Sequence, residues 1–310
     1  MDLKRQFERD GFVILPAFYS SDLMDRVTET IAKRKIARPL SVVVDLLDTN
    51  ERTSLGLLPT EDIKSRRMKI NDLYLDMPDL RSIALSDRLS PILRNLLGHA
   101  PTLCNSLYFE KGSAQPPHVD SIYMTPKTPG HLIATWVALE DTDESAGPLE
   151  YFPGSHRIER FLFDGKSRRH YKPSLMGEWH NYMDSEVERL GLKKQTFSAK
   201  KGDVFVWHSD LLHGGAAIKD DSLTRRSLVF HYFSRSDSKK TARKLRPLSD
   251  GYWMDRPPQA IPLEAAQRVR FERNYRIRYP DVDAAITSGQ FHSARQHYEL
   301  YGREEGRSAD

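Results

Sequence analysis

Cysteine is almost missing from this chain of 310 residues. The one cysteine, Cys104, has no partner for an internal disulfide and excludes a cysteine-rich zinc or iron–sulfur site. Long apolar runs are missing too, and no stretch approaches the roughly 18 consecutive apolar residues of a transmembrane helix. The segment MDLKRQFERDGF lacks the apolar centre of a signal peptide. Together these absences predict a cytoplasmic protein. Neither sign of charge dominates: 47 basic side chains face 43 acidic ones, for a net charge of +4. No nucleic-acid-binding motif accompanies the small basic excess, which favours at most an anionic small molecule or surface. What is present suffices for a core, with 39% hydrophobic and 10% aromatic residues. The length suits one large domain, with or without a small appendage.

Residues 3–10 predict a short amphipathic helix and GFVIL at 11–15 a strand. Ser20 or Ser21 can cap a helix from Asp22 to about Lys35. Residues 36–75 carry no clear period. PDLRSIALSDRLSPILRNLLG at 78–98 predicts helix, interrupted near Pro91 and stopped by Gly98. From residue 102 the character changes to short strands at 102–109, 132–139, 149–152, 195–198, 203–208 and 227–233, separated by Gly, Pro, Asn or Asp clusters. Strands after a helical start predict a mainly β fold, a double-sheet barrel with helices packed outside. The interval 157–192, with Phe161, Phe163, Tyr171, Trp179 and Tyr182, is longer than a normal connection. It is either a cover over a site or a helical decoration. After Pro257-Pro258, residues 263–306 read as helices with breaks at Tyr279-Pro280-Asp281 and Ser288-Gly289. So short a segment buries little core by itself and is expected to dock on the barrel or on a partner.

The candidate chemistry begins at PPHVDSIYM, residues 116–124, where His118 and Asp120 stand two apart. In extended chain such residues leave the backbone on one side. The pair alone fits either a metal ion or an ordinary His–Asp hydrogen bond. A third group comes from KGDVFVWHSDLLHGG at 201–215, where His213 lies beyond a strand and before Gly214 and Gly215, which permit close approach. His208 is the rival, but it sits in the strand beside Trp207 and reads as a packed histidine. Two histidines and a carboxylate on a β scaffold match the facial triad of non-haem iron sites. Further on, LTRRSLVFHY at 223–232 puts Arg225 and Ser227 on one strand face. A guanidinium fork and a hydroxyl suit a carboxylate such as that of 2-oxoglutarate. The alternative is that Arg225 pairs with an acidic residue at the sheet edge.

The segments FERDGFVILPAFYS, PPHVD, TWVALEDTDESAGPLEYFPGSH, GDVFVWHSDLLHGG and TRRSLVFHYF, spread over residues 5–235, resemble the phytanoyl-CoA dioxygenase family of Fe(II)- and 2-oxoglutarate-dependent oxygenases. The resemblance implies a double-stranded β-helix (jelly-roll, cupin-like) core over about 100–235, inside a domain of residues 1–250. Residues 258–310 then form a small C-terminal helical appendage. It implies Fe(II) on His118, Asp120 and His213, 2-oxoglutarate as co-substrate with its distal carboxylate on Arg225, and O2 as oxidant, with succinate and CO2 released. The position two after the distal histidine is often a hydroxyl residue in the family. Here it is Gly215, and Ser227 is the candidate replacement. Asp120 separates the chain from related halogenating oxygenases, which carry a small residue there. Hydroxylation of a small or conjugated metabolite is therefore expected. The alternatives are desaturation or epimerisation at the same metal, or a non-catalytic binding module associated with glycan assembly.

Trp136, Tyr108 and Gln115 are further candidate contacts to the co-substrate, with Asn105 a weaker one. The PGSH turn at 153–156 shapes either the pocket or only the chain. Arg157, Lys127 and Lys111 are candidate partners for an anionic substrate, and the loop 121–130 is a candidate lid. NYRIRYPDVDAAITSGQFHSARQHYELYGREEGR at 274–307 resembles a short helical repeat of bacterial glycan-related and surface proteins. That resemblance implies a bacterial source and adds a saccharide-linked substrate to the anionic one. No sequence feature reports an oligomeric state.

Overall fold

The computed structural model describes residues 2–163, 172–238 and 244–308. In chain order the described strands are β1 (Phe12–Leu15), β2 (Val43–Leu46), β3 (Glu51–Ser54), β4 (Met68–Asn71), β5 (Pro101–Phe109), β6 (Leu132–Ala138), β7 (Leu149–Tyr151), β8 (Gln195–Phe197), β9 (Val204–His208), β10 (His213–Gly215), β11 (Ser227–Ser234), β12 (Lys244–Leu248) and β13 (Gly251–Asp255). The helices are α1 (Leu3–Asp10), α2 (Ser21–Ile36), α3 (Thr60–Ser65), α4 (Pro78–Ala84), α5 (Leu89–Leu97), α6 (Asp120–Tyr123), α7 (Met176–Arg189), α8 (Arg235–Ser238), α9 (Leu263–Arg278), α10 (Pro280–Thr287) and α11 (Ala294–His297). The chain divides into two compact units, Met1–Val27 with Leu73–Arg256 and Thr28–Asp72 with Pro257–Asp310.

The first unit holds two sheets. One runs β1-β9-β6-β11-β5, with each neighbour antiparallel. β13 adds to β5 in parallel and makes a hairpin with β12. The other sheet is β10-β7-β8, also antiparallel. The sheets face each other through aromatics: Tyr151 lies 4.8 Å and Phe197 5.3 Å from Phe205, ring centroid to centroid. This is the mainly antiparallel β core with flanking helices that the sequence predicts. The central strand β6, LIATWVA, is buried at every position, as a continuous apolar run requires. Helix α1 is capped by Asp2, whose carboxylate accepts from Lys4 and Arg5 N–H. It ends at Gly11 with φ 83°, where an added Cβ would lie 2.5 Å from Nδ1 of His156. The predicted interruption near Pro91 falls earlier, at 85–88. Pro91 itself sits in the first turn of α5, where its missing N–H costs nothing.

The interval 157–192 carries α7. Its Phe163, Trp179 and Met183 pack with Val119, Ile122, Ile158 and Leu212 in a small apolar cluster. It therefore supports the back of the His118–Asp120 segment. Tyr171 lies outside the described residues.

In the second unit, β4-β2-β3 form an antiparallel sheet, against which α9 packs at β3. Tyr275, Val282 and Ala294 form a core under Phe271, Tyr279, Ile286 and Tyr298. Glu272 caps α11 by accepting from Ala294 and Arg295 N–H at 2.8 and 3.1 Å. The helical tail thus joins a sheet from residues that gave no clear period in sequence. In that sheet Asp45 accepts from Arg52 at 2.5 and 3.0 Å, and Lys69 lies 3.0 Å away. Burial alone would raise the Asp45 pKa, but the Arg52 hydrogen bonds and Lys69 outweigh it and hold it at about 2. A depressed carboxylate stabilises the fold above its unfolded value near 4 and loses that contribution as pH falls through 2. Asp45→Asn is therefore expected to cost roughly 2 kcal/mol at pH 7, and little at pH 2. Denaturant unfolding of both proteins at the two pH values checks this.

Candidate metal centre

His118 and His213 come from segments far apart in sequence that the fold ties together by two backbone hydrogen bonds. His118 N–H donates to His213 O at 2.8 Å, and His213 N–H to His118 O at 3.0 Å. The imidazoles end up 4.5 Å apart between centroids. Each ring is held by a backbone carbonyl: Nδ1 of His118 lies 2.9 Å from Pro116 O, and Nδ1 of His213 2.9 Å from Leu211 O. With the proton on Nδ1, each Nε2 lone pair is turned inward. Val119 is extended, at φ −120° and ψ 137°, and Asp120 opens α6. The carboxylate consequently returns to the imidazole side. Asp120 Oδ1 lies 3.9 Å from His118 Nε2 and 3.7 Å from His213 Nε2. Donor atoms of the three residues all fall within 4.8 Å of one another.

The electrostatics match a cation-binding set. Burial, reinforced by neighbouring His213, pushes the His118 pKa down to about 4, against the pull of Asp120. Its lone pair is therefore free at neutral pH. Burial opposes ionisation of Asp120, but the imidazoles of His213, His231 and His118 outweigh it and hold the carboxyl below its ordinary range. Two imidazole lone pairs and a carboxylate oxygen converging in a buried site repel each other, and a cation between them removes the conflict.

The three line a cavity together with Leu107, Phe109, Ser113, Gln115, Trp136, Trp207, Arg225 and His231. Arg225 is 3% exposed. It donates to Gly147 O at 2.9 Å, while its Nε has no hydrogen-bond partner among the described residues. The acidic residues at the sheet edge belong instead to Arg226, which pairs with Glu140 at 3.0 Å and lies 3.7 Å from Glu110. Burial lowers the Arg225 pKa to about 10, which still leaves it cationic at neutral pH. Trp136 Nε1 and Ser227 Oγ, both buried, also have no hydrogen-bond partner among the described residues. Ser227 shares a face of β11 with Val229 and His231, which line the cavity.

The structure thus brings together His118, Asp120, His213, Arg225, Gln115 and Trp136, with Ser227 adjoining them. It does not bring Tyr108. Leu107 and Phe109 face the cavity, so strand alternation turns Tyr108 to the other face of β5, beside Arg226. Asn105 faces the cavity side but is engaged by His231, Oδ1 to Nδ1 at 3.0 Å. His208 stays out of the triad, with its Nδ1 accepting from Asp210 N–H at 3.1 Å. Arg157 and Lys111 donate to the carbonyls of Arg9 and Asp221. In the loop 121–130, Ser121 donates to Asp210 and Ile122 joins the apolar cluster. Tyr123, 56% exposed, reaches the His118 ring at 5.9 Å. Ser113 was not anticipated. A Cβ on Gly215 would lie 2.5 Å from Ser113 Oγ, so the glycine makes room for a hydroxyl from the facing loop.

The family model for phytanoyl-CoA dioxygenase (PhyH) matches residues 7–227. The chain belongs to the phytanoyl-CoA dioxygenase family. Among members and relatives of this family, phytanoyl-CoA dioxygenase domain-containing protein 1 of Rattus norvegicus is 24% identical over 263 residues, which cover 73% of this chain and 87% of that protein. A probable alpha-ketoglutarate-dependent hypophosphite dioxygenase of Stutzerimonas stutzeri is 22% identical over 234 residues, covering 74% and 77%. The fold is similar to that of the non-heme alpha ketoglutarate dependent epimerase SnoN from nogalamycin biosynthesis, with a TM-score of 0.57, 19% identity and coverage of 82% and 97%. It is also similar to EctD from S. alaskensis, solved with 2-oxoglutarate and 5-hydroxyectoine, with a TM-score of 0.53, 20% identity and coverage of 83% and 84%. SnoN has been solved with Fe3+ and alpha ketoglutarate. The donor set here fits the same pair of groups. It offers nitrogen, nitrogen and oxygen toward a metal, and a buried guanidinium without an acidic partner among the described residues toward a carboxylate. No helix among the described residues is long and apolar enough to cross a membrane.

Proposed function

We propose that this member of the phytanoyl-CoA dioxygenase family hydroxylates a small molecule, using Fe(II), 2-oxoglutarate and O2. The observation that carries the reading is one cavity holding His118, Asp120 and His213 beside the buried cation of Arg225. In this reading His118, Asp120 and His213 hold the iron. Arg225 receives the distal carboxylate of 2-oxoglutarate, with Ser227 Oγ and Trp136 Nε1 as neutral donors nearby. Bound there, iron and 2-oxoglutarate supply the activation of dioxygen, with succinate and carbon dioxide released as substrate is oxidised.

The remaining work falls to the chain's own side chains. Pro116 O and Leu211 O fix the tautomers of the two histidines. Leu107, Phe109, Leu149 and Val229 give the same cavity an apolar wall. Tyr123, exposed, stands beside His118. The carboxylate of Asp120 supports hydroxylation over halogenation. The small positive charge and the tail repeat support a substrate that is anionic or saccharide-linked. The single buried cysteine supports a reducing, cytoplasmic setting.

Ligands that bind only the native state raise its melting temperature. Fe(II) with 2-oxoglutarate is expected to raise the melting temperature more than either alone, and succinate is expected to accumulate with a true substrate. Product mass separates the outcomes: one oxygen gained for hydroxylation, two hydrogens lost for desaturation, no change for epimerisation. Absence of both, with no stabilisation by Fe(II) and 2-oxoglutarate and no succinate from any substrate, would contradict the reading.

A further inference from the structure

The two oxygens of Asp120 face different partners. Oδ1 is the atom that His118 Nε2 and His213 Nε2 approach. Oδ2 points away from them, accepts from Trp207 Nε1 at 2.8 Å and lies 3.5 Å from His231 Nε2. An indole N–H only donates, so this bond distinguishes the two oxygens. Behind it, Nδ1 of His231 lies 3.0 Å from Asn105 Oδ1.

These groups form one row across four strands. Trp207 on β9 pairs with Ala134 on β6, Ala134 with His231 on β11, and His231 with Asn105 on β5. The methyl side chain of Ala134 leaves the indole and imidazole free to lean over it toward one carboxylate, with their rings 6.4 Å apart. The β11–β5 register shifts directly after His231, and an irregularity of this kind re-aims neighbouring side chains.

We propose that Trp207, backed by His231 and Asn105, is a positioning residue that keeps Asp120 a one-oxygen ligand; this rests on the triad being the iron site. A carboxylate with both oxygens free can chelate a metal. Chelation by Asp120 would occupy a position that a facial triad leaves for a co-substrate binding through two atoms. Holding Oδ2 on the indole prevents it.

The test uses the full chain with Trp207→Phe, which keeps an aromatic ring and removes the N–H. Anaerobic Fe(II) protein is titrated with 2-oxoglutarate while the charge-transfer absorption of the iron–co-substrate complex is followed. The dissociation constant for 2-oxoglutarate is expected to rise about tenfold or more, the scale of losing an outer partner of a metal ligand. The absorption band is expected to move. Trp253→Phe, on β13 and outside the cavity lining, should leave both unchanged. Trp207→Phe binding iron and 2-oxoglutarate within about twofold of the unsubstituted chain, with an unmoved band, would overturn the inference. Should Trp207→Phe not fold, Asp120→Ala gives a second reading, in the NMR signals of the four tryptophan indoles. One indole N–H is expected to shift strongly, and four unmoved signals would overturn the inference. Failure of the underlying reading looks different, because the unsubstituted chain would then bind no iron at all.

Discussion

His213→Ala is expected to lower Fe(II) affinity by at least about 100-fold, beyond the effect of losing an outer partner alone, and to abolish succinate release. The substitution should leave the chain folded. The bond pair joining residues 118 and 213 uses only N–H and carbonyl groups, so alanine retains it. What disappears is one of three donors, together with the inward lone pair that the Leu211 carbonyl sets. Equilibrium iron binding, read beside far-UV circular dichroism, separates loss of the donor from loss of the fold. Asp120→Ala is expected to behave alike in iron binding.

Arg225→Met is expected to divide stability from co-substrate binding. In the unliganded protein Arg225 is a buried cation whose hydrogen bond goes to one backbone carbonyl. An uncompensated buried charge destabilises the native state. A methionine of similar length should therefore leave the unliganded protein at least as stable as before. Affinity for 2-oxoglutarate, by contrast, should fall by about 2–5 kcal/mol, from roughly 30-fold to several thousandfold, the cost of removing one side of a buried charged pair. Melting curves with and without 2-oxoglutarate check both halves. A variant less stable alone yet still stabilised by 2-oxoglutarate would show that Arg225 serves the fold.

The site was legible in the sequence where its chemistry follows local geometry. His118 and Asp120 lie two apart around one extended residue, and Arg225 and Ser227 share a strand face. Each pair could be read from the period-two rule. The same rule, carried one strand further, excludes Tyr108, because Leu107 and Phe109 take the cavity face. That requires knowing which face is inward, and a strand buried on both faces, with polar residues on each, does not reveal it. Trp207 reads in VFVW as core, since the meaning of its N–H depends on a carboxylate arriving from α6. Ser113 was hidden for a related reason: its place is set by a loop lying against Gly215. At the level of the fold, strands 102–109, 132–139 and 227–233 were nearly right because they are buried and apolar. β12, mostly exposed, carries no such pattern. The grouping of residues 28–72 with the tail joins segments nearly 200 residues apart, and contacts at that distance leave no local period.

The most direct measurement is anaerobic titration of the unsubstituted chain with Fe(II) and then 2-oxoglutarate, followed by absorption and by bound-metal analysis. One iron per chain and a charge-transfer band saturating with one 2-oxoglutarate, both lost in His213→Ala, are the predicted result. Iron that binds equally well without His213, or no band in the unsubstituted chain, would contradict the assignment of His118, Asp120 and His213 as the metal centre.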